Sequence, residues 1–143
     1  MITHVDLSYN YIDAKGALDI MLMLKETTSL RSLNLSNNHI NNQGITYIMN
    51  GVMHNENIEM LNVEHNPFTV SLAEFNITGR ERLNIRCTYS NINGPMLVDH
   101  RSMIDKAMVM AAIQGTTLDL AGKGVTSEDI CYIMEVIFGS TRL

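Results

Sequence analysis

The chain has 143 residues, 45% of them apolar and 17% charged, with a net charge of −5, a size and composition that suit one folded domain with a continuous core. The acidic balance and the lack of a Lys/Arg cluster argue against nucleic acid and anionic lipid as main partners, because affinity for either is assembled from clustered cations. The opening MITHVDLSYN has no basic stretch followed by an apolar run, and no 18-residue apolar segment follows, so neither secretion nor a membrane span is expected and a cytoplasmic location is.

The first elements repeat. Ile2, Val5, Leu7, Asn10, Ile12, Gly16, Ile20 and Leu24 recur 28 residues later as Leu30, Leu33, Leu35, Asn38, Ile40, Gly44, Ile48 and Val52. A third copy opens with Ile58, Leu61, Val63, Asn66 and Phe68. Val5 and Leu7 are two residues apart, as are Leu33 and Leu35, so each pair faces one side of a short strand while Asp6 and Asn34 face the other. The apolar positions then stretch to fours, which is one stripe of a helix, and the glycine should let that helix approach the strand layer closely. The amides of Asn10, Asn38 and Asn66 fall where the chain turns inward after each strand and can satisfy turn backbone groups that water does not reach.

Repeat one runs from about Ile2 to Ser29, with a helix over Ala14 to Lys25 that is apolar nearly all round through Leu18, Met21, Leu22 and Met23. Its strand is expected to be an open edge. Repeat two, Leu30 to Asn57, is the most regular copy. Repeat three loses the pattern after Phe68, where Ser71 and Glu74 can cap a single helical turn, and the polar stretch Thr78 to Arg82 leads to a fourth strand with Leu83, Ile85 and Cys87 inward. Taking Ile85 and Cys87 as the apolar pair places Ser90 at the asparagine position and Ile92 after it. Asn91 to Pro95 reads as a loop, and Asp99 or Ser102 as the cap of a helix reaching about Gln114.

Repeat five regains the pattern, since Leu118, Leu120, Val125, Ile133, Ile137 and Leu143 match Val5, Leu7, Ile12, Ile20, Leu24 and Leu30 at a shift of 113. The irregular middle should therefore amount to two turns of the same array. Lys123 stands at the asparagine position and Asp129 at the glycine position, so the amide ladder and the close helix approach should both weaken there. Thr126 or Ser127 should begin the last helix and Gly139 end it.

This pattern resembles the leucine-rich repeat, L-x-x-L-x-L-x-x-N-x-L, and its 28-residue period with a glycine and a second apolar helical half is similar to the ribonuclease-inhibitor-like subclass. The resemblance implies an α/β leucine-rich-repeat solenoid of about five repeats, with a parallel concave sheet and helices on the convex side. One domain over 1–143 is expected, irregular in 69–117 and lacking one or both caps. The resemblance also implies a non-enzymatic protein-binding module using the concave strands and adjacent loops. Two alternatives stand beside it: a structural subunit of a larger intracellular assembly, and a small-GTPase regulatory factor, since the Ran GTPase-activating protein is built from similar repeats. Against the latter, no arginine stands out on a repeat loop, and that family's long acidic tail is missing.

Catalytic chemistry finds little support in the sequence. His4, His39, His54, His65 and His100 fall at different places in the repeat and without metal-type spacing, so no metal or other cofactor is expected. Cys87 and Cys131 stand apart, as reduced packed thiols would. Gly122 to Thr126 resembles the end of a phosphate-binding loop but lacks the leading glycine. The triplets at Asn34 and Asn76 match the glycosylation acceptor, the first inside a strand.

The outward strand positions carry the functional expectation: Asp6, Asn34, Asn62, Asn84 or Arg86, and Asp119, flanked by His4, Ser32 and Met60 on one side and Ser8, Ser36 and Glu64 on the other. Five strands about 4.8 Å apart would make a track about 19 Å long. Its small polar residues suit a partly wet contact with a protein partner, and uncapped ends suit a homo-oligomer or larger complex.

Overall fold

The structure is a computed structural model and describes residues 1–75, 80, 82–87 and 104–139. Its elements in chain order are β1 (His4–Asp6), α1 (Ala14–Glu26), β2 (Ser32–Asn34), α2 (Asn42–Met53), β3 (Met60–Asn62), a 3-10 turn at Leu72–Glu74, β4 (Asn84–Arg86), α3 (Lys106–Ala111), β5 (Ile113–Gln114), β6 (Thr117–Asp119) and α4 (Ser127–Phe138). The inward residues Val5, Leu33, Leu61 and Leu118, with Leu7, Leu35, Val63 and Leu120 one turn on, meet Ile20, Leu24, Ile48, Val52 and Ile133 from the helices in one core. This α/β architecture, dominated by parallel pairing, is what the alternating strand pairs and helical stripes dictate.

The strand order is not the sequence order. One sheet runs β4-β3-β2-β1-β6-β5. β1 pairs in parallel with β2 on one side, Val5 opposite Leu33, and with β6 on the other, Val5 opposite Leu118. The expected open edge at β1 is thus absent: the fifth copy stacks before the first rather than after the fourth. Its helix accompanies it, so that α1 lies between α2 and α4. Part of the apolar excess on α1 is explained by that second neighbour.

The asparagines show why. Asn38 donates through Nδ2 to the Leu7, Leu35 and Ser36 carbonyls, at 2.9, 3.1 and 3.2 Å, and its Oδ1 accepts from the Ile12 N–H at 3.0 Å. Asn66 repeats this on Leu35, Val63, Glu64 and the Ile40 N–H. Each amide therefore serves its own turn and the turn of the unit before it. Asn10 has the same outreach, and what it finds is the fifth copy: Nδ2 donates to the Leu120 carbonyl at 2.9 Å and Oδ1 accepts from the Val125 N–H at 2.8 Å. All three asparagines are buried, so these bonds are made out of reach of bulk water.

The helical glycines carry a second correction. A Cβ on Gly16 would lie 2.7 Å from Ser127 Oγ and 2.8 Å from Ile12 Cγ2, and one on Gly44 would meet Ile40 Cγ2 at 2.8 Å and Ala14 Cα at 3.5 Å. The closeness that requires glycine is to the turn entering the same helix and, at Gly16, to the preceding helix, not to the strand layer. At that contact the Ser127 hydroxyl donates to Asp13 Oδ1 at 2.6 Å and accepts from the Asp13 N–H at 2.9 Å, which fixes α4 against the start of α1.

Other boundaries follow the local chemistry. Thr126 is the cap of α4, as one of the two expected candidates, and forms a capping box with Asp129, while Gly139 ends that helix at φ 62°. Ser71 accepts from the Ala73 N–H at the single 3-10 turn. The cap of α3 is Asp105, whose carboxylate accepts from the Met108 N–H at 2.9 Å, and the helix stops at Ala111 instead of reaching Gln114. Ile113 and Gln114 instead pair antiparallel with β6 across a turn at Gly115. Asp99, Ser102, Ser90, Ile92, the Asn91 to Pro95 stretch, Asn76, His100 and Leu143 lie outside the described residues.

Removing the Asn10 amide strips the seat of the fifth copy. Asn10→Ala should lower stability by about 1–3 kcal/mol, and hydrogen exchange should show residues 104–139 losing protection well before α2. Equal loss across both regions would contradict this seating. Gly16→Ala should also lower the denaturant midpoint, by about 1–3 kcal/mol of overpacking.

Candidate protein-binding face

The outward side of the sheet is set out in rows by the strand register. Thr117, His4, Ser32, Met60 and Asn84 are successive neighbours in one row, and Asp119, Asp6, Asn34, Asn62 and Arg86 in the next. All but two of the proposed contact residues, Ser8 and Ser36, are exposed or half-buried in this structure. Ser8 and Ser36 are buried, and the Ser8 hydroxyl donates to Asp6 Oδ1 at 2.6 Å. Those two are therefore withdrawn from the candidate surface, because each lies where the chain has already begun to turn inward.

The second row also has an internal duty that alternation cannot show. Asp6 accepts from the Ser8 N–H at 2.9 Å, Asn34 from the Ser36 N–H at 3.0 Å, Asn62 from the Glu64 N–H at 3.0 Å and Asp119 from the Ala121 N–H at 3.0 Å. Each is an Asx turn, a short side chain bending the backbone two residues on. A plain solvent-facing role for Asn34 is thereby corrected. At β4 Arg86 breaks the series, and its Nε lies 3.2 Å from Glu64 Oε1 in an ion pair whose arginine side is 60% exposed. Such a pair adds little stability, but it fixes the direction of the arginine on the face.

Along the rim above this face, the residue before each ladder position takes a left-handed backbone: Tyr9 at φ 56°, Asn37 at 56°, His65 at 58° and Gly122 at 66°. Their N–H groups are drawn into the next turn, Gly122 to Ser8 O, Tyr9 to Ser36 O and Asn37 to Glu64 O, each at 3.0 Å. Two residues further on, the rings of Tyr11 and His39 stack with centroids 6.1 Å apart and planes 7° from parallel.

Two polar devices on the helix side escaped the sequence reading. Asn55 is buried, donates to the Leu24 and Thr27 carbonyls and accepts from the Asn57 and Ile58 N–H groups. Arg80 donates to the Val52 carbonyl at 2.7 Å and to that of Asn55, closing the carbonyl end of α2. The only sequence signal for Asn55 was an amide in the helix-to-strand link; Arg80 gave none, since nothing in spacing points a guanidinium back by 28 residues.

Among the described residues no group of three or more His, Cys, Asp or Glu side chains converges as a metal site would. No helix among them is long and apolar enough to cross a membrane. What the face offers chemically, among the described residues, is a field of hydrogen-bonding groups and the Arg86–Glu64 ion pair, exposed on its arginine side.

A family model described as Leucine Rich repeat matches residues 1–21 and 27–49, that is, most of the first two copies. This supports a leucine-rich repeat family for the chain, and such repeats generally mediate protein–protein interaction and are typically non-enzymatic. No curated protein and no solved structure matches the chain.

The Asx bonds and the ladder differ in burial, and their removal should differ accordingly. Asn34→Ala should cost about 1 kcal/mol, the size of a single half-exposed hydrogen bond, and Asn38→Ala clearly more, because several buried backbone groups lose their partner. Asn34→Asp, which keeps the acceptor, should restore most of the loss. Denaturant midpoints of the three variants test the assignment, and equal midpoints for Asn34→Ala and Asn38→Ala would refute it.

Proposed function

We propose that the chain is a non-enzymatic protein-interaction module, a short solenoid of ribonuclease-inhibitor-like repeats that engages a partner with the outward face of its strands. The observation that carries this reading is the placement of His4, Ser32, Met60 and Asn84 as register neighbours in one row. Asp6, Asn34, Asn62, Arg86 and Asp119 run parallel to them and Glu64 is held beside Arg86. A continuous polar surface built from a rigid sheet gives a partner many weak, adaptable contacts without ordering any loop, which is how a scaffold binds at small entropic cost. The leucine-rich repeat match points the same way, and with it goes a cytoplasmic setting for a chain whose Cys87 and Cys131 are not joined in a disulfide.

The second reading, a subunit of a larger assembly, draws on β4, which pairs with β3 and is the last strand of the sheet among the described residues. A β-strand in that position can accept a neighbouring chain. A role as a GTPase regulatory factor draws on no observation of this kind, since Arg86, the arginine on the outward face, is held by Glu64.

Ser32 and Met60 are half-buried on the outward row and make no side-chain hydrogen bond among the described residues, so charge can be placed there without breaking an Asx turn. The double variant Ser32→Arg, Met60→Arg should keep its thermal midpoint within a few degrees, about 1 kcal/mol for a chain of this size. It should also lose any partner cross-linked to the wild-type chain in cell extract. Retention of that partner by the double variant would move the contact off the strands.

A further inference from the structure

The outward face does not end flat. Beyond β6 stand β5 and α3 in place of another regular repeat, and a cavity of about 490 Å³ opens there, within the size range of pockets that hold a small ligand or an anchoring side chain. Thr117 and Asp119, members of the two outward rows, line it together with Met108, Ala111 and Ala112 from the α3 side and Lys123 from the loop after β6. Wall and floor are tied to each other, since the Asp119 N–H donates to the Ala112 carbonyl at 3.0 Å. The cavity is thus continuous with the strand rows.

Its charges differ from those at the other end of the face. Arg86 and Glu64 meet there at 3.2 Å, whereas Asp119 and Lys123 line one cavity and form no ion pair, with each other or elsewhere, among the described residues. The turn does not account for the charge on Asp119. Its Oδ1 accepts from the Ala121 N–H at 3.0 Å, and Asn34 and Asn62 make the same bond without any charge. Nor does the fold account for Lys123, which is exposed and stands where the ladder units carry asparagine. Opposite charges that share a cavity without pairing discriminate by sign. A ligand with a lone cation gains at Asp119 and loses at Lys123, and a lone anion does the reverse, so the two effects offset; a ligand that brings both charges to complementary places gains at each. The apolar surface of Met108, Ala111 and Ala112 in the same cavity asks for an apolar side chain as well.

We propose that this cavity is an anchor pocket for a partner-protein segment that carries an apolar residue together with one cationic and one anionic side chain. This rests on the protein-binding reading above and gives that partner a chemistry.

The test is an NMR titration of the full chain at physiological salt, read on the amide signals of residues 108–123. The probes are tripeptides acetylated and amidated at their ends: lysine, leucine and glutamate in both orders, and the same peptides with glutamine in place of the glutamate or of the lysine. The better order of the mixed-charge probe should bind about threefold more tightly than either singly charged probe, the scale of one exposed ion pair. Attraction to the net charge of −5 alone would instead favour the probe that carries only lysine. Lys123→Gln should bring the mixed and lysine-only probes to equal affinity, and Asp119→Asn the mixed and glutamate-only probes. Both variants should hold the thermal midpoint, since the Lys123 side chain makes no hydrogen bond among the described residues and asparagine keeps the acceptor for the Ala121 N–H. A lysine-only probe that binds as tightly as the mixed one, or a mixed-probe preference that survives both substitutions, would overturn the proposal. The strand-face reading is judged separately, because Ser32 and Met60 do not line the cavity. If the Ser32→Arg, Met60→Arg variant loses its cross-linked partner while the probes show no preference, the pocket proposal alone fails. If the preference is present and answers to Lys123 and Asp119 while the double variant keeps its partner, the strand-face reading alone fails.

Discussion

Everything in the arrangement of this chain depends on a buried primary amide that must be satisfied on two sides. In Asn38 and Asn66 the amide closes its own turn with one set of bonds and reaches the preceding unit with another. The reach has a direction: Nδ2 goes to the preceding strand end and Oδ1 to the N–H that leaves the preceding turn. A buried backbone group without a partner costs on the order of 1–3 kcal/mol, a large share of the stability of a domain this size. A unit that carries the asparagine therefore calls for a unit before it. For Asn10 the unit on that side is the fifth copy, since the structure brings residues 104–139 there. Chain order and spatial order part company at β1, and the Asn10 hydrogen bonds are made across that junction.

The units themselves were legible and their assembly was not. Strand pairs such as Val5 with Leu7 and helical stripes such as Ile40, Gly44, Ile48 and Val52 are local consequences of side-chain direction, and the structure has the corresponding elements within one or two residues. The shift of 113 correctly recognised Leu118, Leu120 and Val125 as a copy of the first unit, all of them buried. Periodicity says that a copy exists and nothing about which face of which neighbour it covers. Between Cys87 and Ile104 the sequence holds only an irregular copy, with Ser90 at the asparagine position, and the cap of the following helix is Asp105 because capping depends on local hydrogen bonding that several acidic or hydroxyl residues could supply.

The outward face was legible as a row but not as chemistry. Asp6, Asn34, Asn62 and Asp119 all point away from the core, as alternation requires, yet each turns one oxygen back to its own backbone. A carboxylate or amide two residues before a turn can do this or face water, and pattern alone does not separate the two. The consequence is a face with a stiffened second row, in which Ser32, Met60 and Asn84 have more freedom to adapt to a partner than the residues beside them. Of the left-handed sites, Gly122 and Asn37 are residues from which that backbone can be read, whereas Tyr9 is not.

Two substitutions in the fifth copy, each weak alone, agree on its place. The asparagine position holds Lys123, which is exposed and has no amide to offer a preceding turn. The glycine position holds Asp129, whose Oδ2 caps Thr126, while the glycines it replaces are tight against the turn entering their own helix and, at Gly16, against the preceding helix as well. Ladder and helix contact both look backward along the array, and the fifth copy has lost both. A copy that keeps the inward residues and gives up the two backward contacts is built to have a successor and not a regular predecessor. On its outer side lie the two residues of β5 and the single α3 helix, a short antiparallel strand and a helix that blunt the sheet where another repeat would otherwise stack.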